Sequence, residues 1–261
     1  METTVIRYEH EMYHLYHLLK EKGEWISPRG LKSLEIQNFT YSLGPYVRFN
    51  TFQGRNFNLK YLKREIAWYI KADPTDLSIA EHAAQWGKIV ANGKLNSNYG
   101  AYWFGDYGVS NIVRILEDDP MSRRAVIPMY GTDKDHMDIE AKDVPCTIAM
   151  EFRIRDNRLN CRAIMRSQDI LWGMANDIPT FSILQEIIAA LLDVQMGVLT
   201  ISVGSFHVYE SRFEMFKEII RNNKHEPILD VPRISKAEAY CLSSKHIPAY
   251  DYAFSRWLLD V

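Results

Sequence analysis

Several short stretches of the chain carry side chains of the kind that do chemistry. Cys146 follows Pro145 at the start of an alternating apolar run, "CTIAMEF". A thiol there is either a small buried hydrophobe or a nucleophile whose pKa falls beside positive charge. Glu65 interrupts the apolar stripe Leu62, Ile66, Tyr69 in "YLKREIAWYI". A carboxylate on a core-facing stripe costs free energy unless it is paired or functional. Arg123 and Arg124 follow Ser122, and Arg166 precedes Ser167. Guanidinium groups beside a hydroxyl suit a phosphate, which they can bind bidentately, although either pair can also be ordinary surface charge. His207 and Tyr209 alternate in "GSFHVYE" and so share one face of a strand. Asp177, in "GMANDIPTF", reads either as the N-cap of a helix with Pro179 in its first turn or as a group that recognises a ligand.

The composition narrows what these groups can act on. The chain has 261 residues, 47% of them hydrophobic, and a net charge of −2. That supports one large core and gives no surplus of positive charge for non-specific nucleic-acid binding; a small anion is the expected target of the local basic clusters. Three widely spaced cysteines and eight scattered histidines show neither C-x-x-C nor H-E-x-x-H. A disulfide framework and a metal site are not expected, and a reducing compartment fits. The start of the chain is polar and no run of about 18 apolar residues occurs, so the reading is a cytoplasmic globule.

The elements that must position these residues follow from periodicity. Helical spacing marks residues 7–22, the segment "FNLKYLKREIAWYIKAD" stopped by Pro74, "SNIVRILEDDP", and a long apolar helix over roughly 178–194. "GKLNSNYGAYW" reads as loop, and "MSRRAVIPMY" as a turn running into a strand. Strands are expected in "LKSLEIQNFTYSL", in a hairpin through "CTIAMEFRIRDNRLNCRAIMR" turning at Asp156–Asn157, and in "VLTISVGSFHVY", which leads into a further helix. Alternation places Cys146 on one face with Ile148 and Met150. Helices and strands mix without strict βαβ order, which predicts an α+β fold in a single domain over residues 1–261.

In order, "LKREIAWYI", "GKLNSNYG", "DPMSRRAV", "PCT", "RLNCRAIMRSQDILWGMANDI" and "VGSFHVY" resemble the thymidylate synthase superfamily, most closely its deoxycytidylate hydroxymethylase branch. The resemblance implies a mixed sheet flanked by helices, with sheets packed back to back in a homodimer. It implies Cys146 as nucleophile, Glu65 relaying protons through water with Tyr99, and Asp177 facing N3 and the 4-substituent of the pyrimidine, where synthases place Asn. Arg166 and Ser167 would hold the nucleotide phosphate, Arg123 and Arg124 would reach it across the dimer, and His207 and Tyr209 would hold the sugar hydroxyl. Asp169, Trp172 and Gly173 would line the pterin site of 5,10-methylenetetrahydrofolate. Trp86 would join them, aligning once one residue is deleted before "NGKLNSNYG".

Thiolate addition at C6 makes C5 nucleophilic toward a one-carbon unit, and cationic phosphate ligands around Cys146 would favour the thiolate. Thr147 stands where synthases usually carry His, as in hydroxymethylases, and no synthase-like closing tail is recognisable in "AFSRWLLDV". The implied activity is hydroxymethylation of dCMP with 5,10-methylenetetrahydrofolate and water, for modified nucleotides of a phage genome. The alternatives are a CMP hydroxymethylase of nucleoside antibiotic pathways, a methylating enzyme acting on dCMP or dUMP, and a non-catalytic nucleotide-binding paralogue. Loss of Cys146 or Glu65 would mark the last, and both are present.

Overall fold

The computed structural model describes residues 4–5, 11–45, 58–131, 139–222 and 231–260. Its frame is a mixed sheet of seven strands: β1 (Thr4–Val5), β2 (Glu24–Ile26), β3 (Ser33–Leu43), β4 (Val126–Pro128), β5 (Thr147–Arg155), β6 (Arg158–Asp169) and β7 (Gln195–Tyr209). The spatial order is β1-β3-β7-β6-β5-β4, with β2 also pairing β3. β5 and β6 form the expected hairpin, closed by Asp156 and Asn157 at φ 50 and 56°. Both residues tolerate the left-handed region, and two such residues give the turn that matches strand twist.

β6 and β7 are parallel, so a crossover must join them. The helix Gly173–Leu192 serves, and it is buried on almost every side, as its all-round apolar sequence requires. It packs on β6, on β7 and against the helices Val109–Asp118 and Lys236–Ser243. It begins five residues earlier than periodicity suggests. Asp177 therefore lies inside it and is not its N-cap, and Pro179 sits in its second turn. Apart from Met174, the first residues of the helix are polar or small, which hid its start.

Other boundaries also differ from expectation. Residues 11–22 form the first helix, Glu11–Lys22, and residues 7–10 of the expected span lie outside the described residues. The helix Leu59–Lys71 is stopped by Ala72 at φ 55°, ahead of Pro74. Part of the expected loop is a short helix, Tyr99–Trp103, pressed onto Leu59–Lys71. A Cβ on Gly100 would lie 1.6 Å from the Tyr69 carbonyl oxygen, so only glycine permits that approach, and it lets the Tyr99 and Tyr69 rings stack at 5.4 Å.

The sheet changes face at one level. In β7 the buried residues run Leu199, Ile201, Val203 and then Phe206, Val208; in β6 they run Leu159, Cys161, Ala163, Met165 and then Gln168. The neighbouring strands break at the same height. β3 carries Asn38 there at φ 57°, and the β5–β6 register shifts between Thr147 and Ala149. An extra residue in a strand has this effect, because it puts two successive side chains out of alternation. It also overturns the expected single apolar face of Cys146, Ile148 and Met150. Ile148 is 38% exposed whereas Met150 and Phe152 are buried. Gly204 of β7 passes close under β6, where an added Cβ would stand 2.9 Å from the Arg166 carbonyl oxygen.

Gly100→Ala is expected to destabilise the protein by at least about 3 kcal/mol, above the ordinary cost of overpacking because the obstacle is backbone. Urea unfolding measures it; a loss under about 1 kcal/mol would mean that the two helices can part without cost.

Candidate active site

Beyond the bend, Ser167 and Asp169 of β6 run beside Ser205 and His207 of β7. His207 and Tyr209 meet edge to face at 5.0 Å, as their shared parity predicts. The His207 ring nitrogen Nδ1 lies 3.3 Å from the Ser205 carbonyl oxygen. The carbonyl of Cys146, just ahead of β5, accepts from the Arg166 backbone N–H at 2.8 Å. The Arg166 guanidinium donates to the carbonyls of Val144 (2.8 Å) and Pro145 (3.0 Å) and reaches Cys146 Sγ at 3.7 Å. One planar side chain thus holds the segment that presents the thiol.

The charges around that thiol oppose one another. Burial pushes the Cys146 pKa up, Arg166 pulls it down, Asp177 and Asp143 push it up, and Arg29 pulls it down. The net shift is upward, so in the free subunit the neutral thiol is favoured and the expected bias toward thiolate is not reached. Asp143 is buried and accepts from the Ser97 backbone N–H at 2.9 Å and from the Ser97 hydroxyl. It locks the "LNSNYG" segment against the approach to Cys146. Arg29, in a turn at φ 54°, acts on both Cys146 and Tyr209. Sequence spacing missed it because it stands alone, without a second cation beside it; its one signal was the Pro28-Arg29-Gly30 turn ahead of β3.

Helices carry the next group of expected residues. Glu65 is buried on Leu59–Lys71 and accepts a hydrogen bond at Oε1 from the Tyr61 hydroxyl at 2.7 Å. That hydroxyl in turn accepts from Trp86 Nε1 at 2.8 Å. A phenol one helical turn away is thus among the partners of the Glu65 carboxylate. Tyr99 is buried, and burial, then the charges of Cys146 and Asp177, push its phenol well above the ordinary value. Its hydroxyl stays protonated and can serve as a donor.

Asp177, on the central helix, is half-buried and accepts at Oδ2 from Gln168 Nε2 at 2.9 Å. The Gln168 oxygen accepts from the Tyr41 hydroxyl at 2.8 Å, which sets the amide's orientation. Burial pushes the Asp177 carboxyl up to about 7, with the Gln168 bond opposing and Asp169 adding. Gln168 lay inside the quoted "RSQD" and had no assigned role; its buried amide is what aims Asp177.

Of the residues expected to hold a planar co-substrate, Asp169, Trp172 and Gly173 share the turn into the central helix, whereas Trp86 packs against Trp68 and donates to Tyr61. Asp169 Oδ1 accepts from the backbone N–H groups of Leu171 (2.6 Å) and Trp172 (3.2 Å), closing the turn into the central helix. Trp172 is 38% exposed, with Arg212 over its ring at 5.4 Å. Gly173 leaves space beside Asp177 Oδ2 that a Cβ would enter to 3.5 Å. An exposed aromatic plane next to a side-chain-free position fits a pterin ring.

Arg123 and Arg124 are not brought to Cys146. Ala125 pairs with Phe152 (N···O 2.9 Å), and Arg155 Nη1 touches Met121 Sδ at 3.9 Å, so both arginines sit at the far end of β5. Residues 146 and 152 are six apart, which is about 20 Å in an extended strand. Both arginines are exposed.

On this mixed sheet a thiol held by an arginine thus lies within electrostatic reach of the Asp177 carboxyl of the central helix. The thymidylate synthase family model matches residues 15–256, and the chain belongs to that family. The family carries out folate-dependent one-carbon transfer onto a pyrimidine nucleotide, with methylenetetrahydrofolate as co-substrate. No described helix is long and apolar enough to cross a membrane.

The Asp177 carboxyl has a consequence for stability. The unfolded chain releases this proton near 3.8 and the folded chain holds it to about 7. Between those values the folded state binds more protons, so stability falls as pH rises through the window. Asp177→Asn has no such proton. Its unfolding free energy should gain on wild type from pH 4 to pH 7 and run parallel above about pH 8. Urea melts across that range test this, and parallel curves throughout would show that the carboxyl is not desolvated.

Proposed function

We propose that the chain is a pyrimidine nucleotide 5-hydroxymethyltransferase, converting dCMP, 5,10-methylenetetrahydrofolate and water to 5-hydroxymethyl-dCMP and tetrahydrofolate. The observation that carries the reading is the Asp177 carboxyl, half-protonated near neutral pH and held at Oδ2 by Gln168. Oδ1 is then the atom that meets a base. Ionised, it accepts from a 4-amino group; protonated, it donates to N3, and both match cytosine. An Asn here would have to turn its oxygen to the Gln168 donor and its NH2 to the base, which suits the 4-oxo group of uracil.

Each residue of the site takes a role in this reaction. Arg166, Ser167 and Arg29 hold the phosphate, and His207 and Tyr209 the sugar hydroxyl. The base lies over Asp177. Cys146 adds to C6 as thiolate, and electron density pushed toward N3 is met by the Asp177 proton, which stabilises that stage specifically. Glu65 and Tyr99 carry protons at the other side of the ring. The co-substrate, against Trp172, Gly173, Asp169 and Trp86, supplies the one-carbon unit. Two subunits pack sheet to sheet, so that Arg123 and Arg124, remote from their own Cys146, complete the partner's phosphate site.

Two experiments test this reading. A mismatched buried polar pair costs about 1–3 kcal/mol, so base preference should move tenfold or more. Wild type is expected to prefer dCMP in kcat/KM, and Asp177→Asn to lose dCMP turnover while gaining on dUMP; a wild-type preference for dUMP refutes cytosine reading. Separately, inactive Cys146→Ser and Arg124→Ala proteins, mixed as verified heterodimers, should regain part of the activity because one hybrid site has both intact parts. No recovery in such heterodimers refutes the shared site.

A further inference from the structure

Tyr61 stands one helical turn before Glu65 and joins two groups of the site by hydrogen bonds whose directions are fixed. An indole nitrogen can only donate, so the bond from Trp86 Nε1 (2.8 Å) occupies a lone pair on the Tyr61 oxygen. The single phenolic proton is then directed at Glu65 Oε1, 2.7 Å away. Burial, and next the Glu65 charge, push the Tyr61 phenol far above its ordinary value, so it remains the donor across the working pH range. A bond accepted by a hydroxyl strengthens the bond it donates. The Trp86 N–H therefore sharpens the donation to Glu65, and that donation favours the ionised carboxylate.

We propose that Tyr61 is a positioning residue that fixes the Glu65 carboxyl and passes to it the state of the Trp86 indole. A planar ligand that turns the indole N–H away leaves Tyr61 a weaker donor and Glu65 a stronger base. Proton affinity at Glu65 thus rises when the Trp86 wall is engaged. The other titratable groups facing this cluster are Tyr69 on the same helix, Tyr99, and Asp177 from the central helix. On the same helix, Lys63 donates to the Asp260 carbonyl at 2.8 Å and Arg64 meets His82 at 3.1 Å. The catalytic use of this link rests on the proton-carrying role given to Glu65 above, whereas the link itself does not.

The test is an infrared difference titration of the Glu65 carboxyl, its band assigned by loss in Glu65→Gln. Tyr61→Phe keeps the ring and removes both bonds; its midpoint should rise by about one unit, a tenfold gain in proton affinity. Trp86→Phe removes the indole donor and keeps Tyr61, so its midpoint should rise by less. The pH profile of C5 hydrogen exchange from dCMP, run without co-substrate, should move with these midpoints while KM for dCMP stays unchanged. An unmoved midpoint in Tyr61→Phe overturns the inference, whatever the exchange does. Should that variant fail to fold, an unmoved midpoint in Trp86→Phe overturns it. Shifted midpoints without exchange in any of the proteins uphold the link and overturn the proposed reaction instead.

Discussion

The close passage of Gly204 under the Arg166 carbonyl is the constraint on which the rest of the site depends. It allows β6 and β7 to change face at one level, and the break at Asn38 in β3 and at Ile148 before the body of β5 continues that change across the sheet. Short of the bend, odd-numbered residues of β6 and β7 fill the core. Past it, Gln168, Phe206 and Val208 take over that task, and Ser167, Asp169, His207 and Tyr209 are released to the site. A regular sheet would have kept all four turned into the core, because they share the odd parity of the core residues before the bend.

Desolvation then sets the chemistry. Cys146, Tyr99, Tyr61 and Asp177 all have burial as the largest cause of their shifts, and each shift favours the neutral form. The free subunit thus keeps protons on several groups, with Arg166 and Arg29 as the cations acting on Cys146. In such surroundings a bound anion, a positioned base and a moved proton change one another's energies strongly, because little water is present to screen them. Among these groups only Asp177 is brought near neutrality, which distinguishes it from phenols that stay protonated throughout.

Much of this was legible in the sequence, and the failures have physical causes. The hairpin turn at Asp156–Asn157 was readable because its residues are among those that accept a left-handed backbone. The pairing of His207 with Tyr209 followed from strand period alone. The start of the central helix was hidden because Gly173, Asn176 and Asp177 are poor helix formers held there by packing, while Pro179 imitated a first-turn proline. The short helix at Tyr99 exists because Gly100 allows contact with Leu59–Lys71, a tertiary fact with no local signal beyond the glycine. Arg29 and Gln168 act only through the partners the fold gives them. The exposure of Ile148 could not be read from alternation, since alternation is what the extra residue breaks.

The hairpin also orders events in time. Its two strands are joined by two residues, so the loop-closure entropy of bringing Thr147 opposite Met165 and the Cys146 carbonyl onto the Arg166 amide is small. The β3–β7 pairing, by contrast, brings Ser33 opposite Tyr209 across most of the chain. Contacts so distant in sequence are slow to form. The thiol and the arginine that grips its approach therefore meet early in folding. The pairing of β3 with β7 closes around them last, so a chain whose synthesis stopped before β7 would carry Cys146 already gripped by Arg166 and still unshielded.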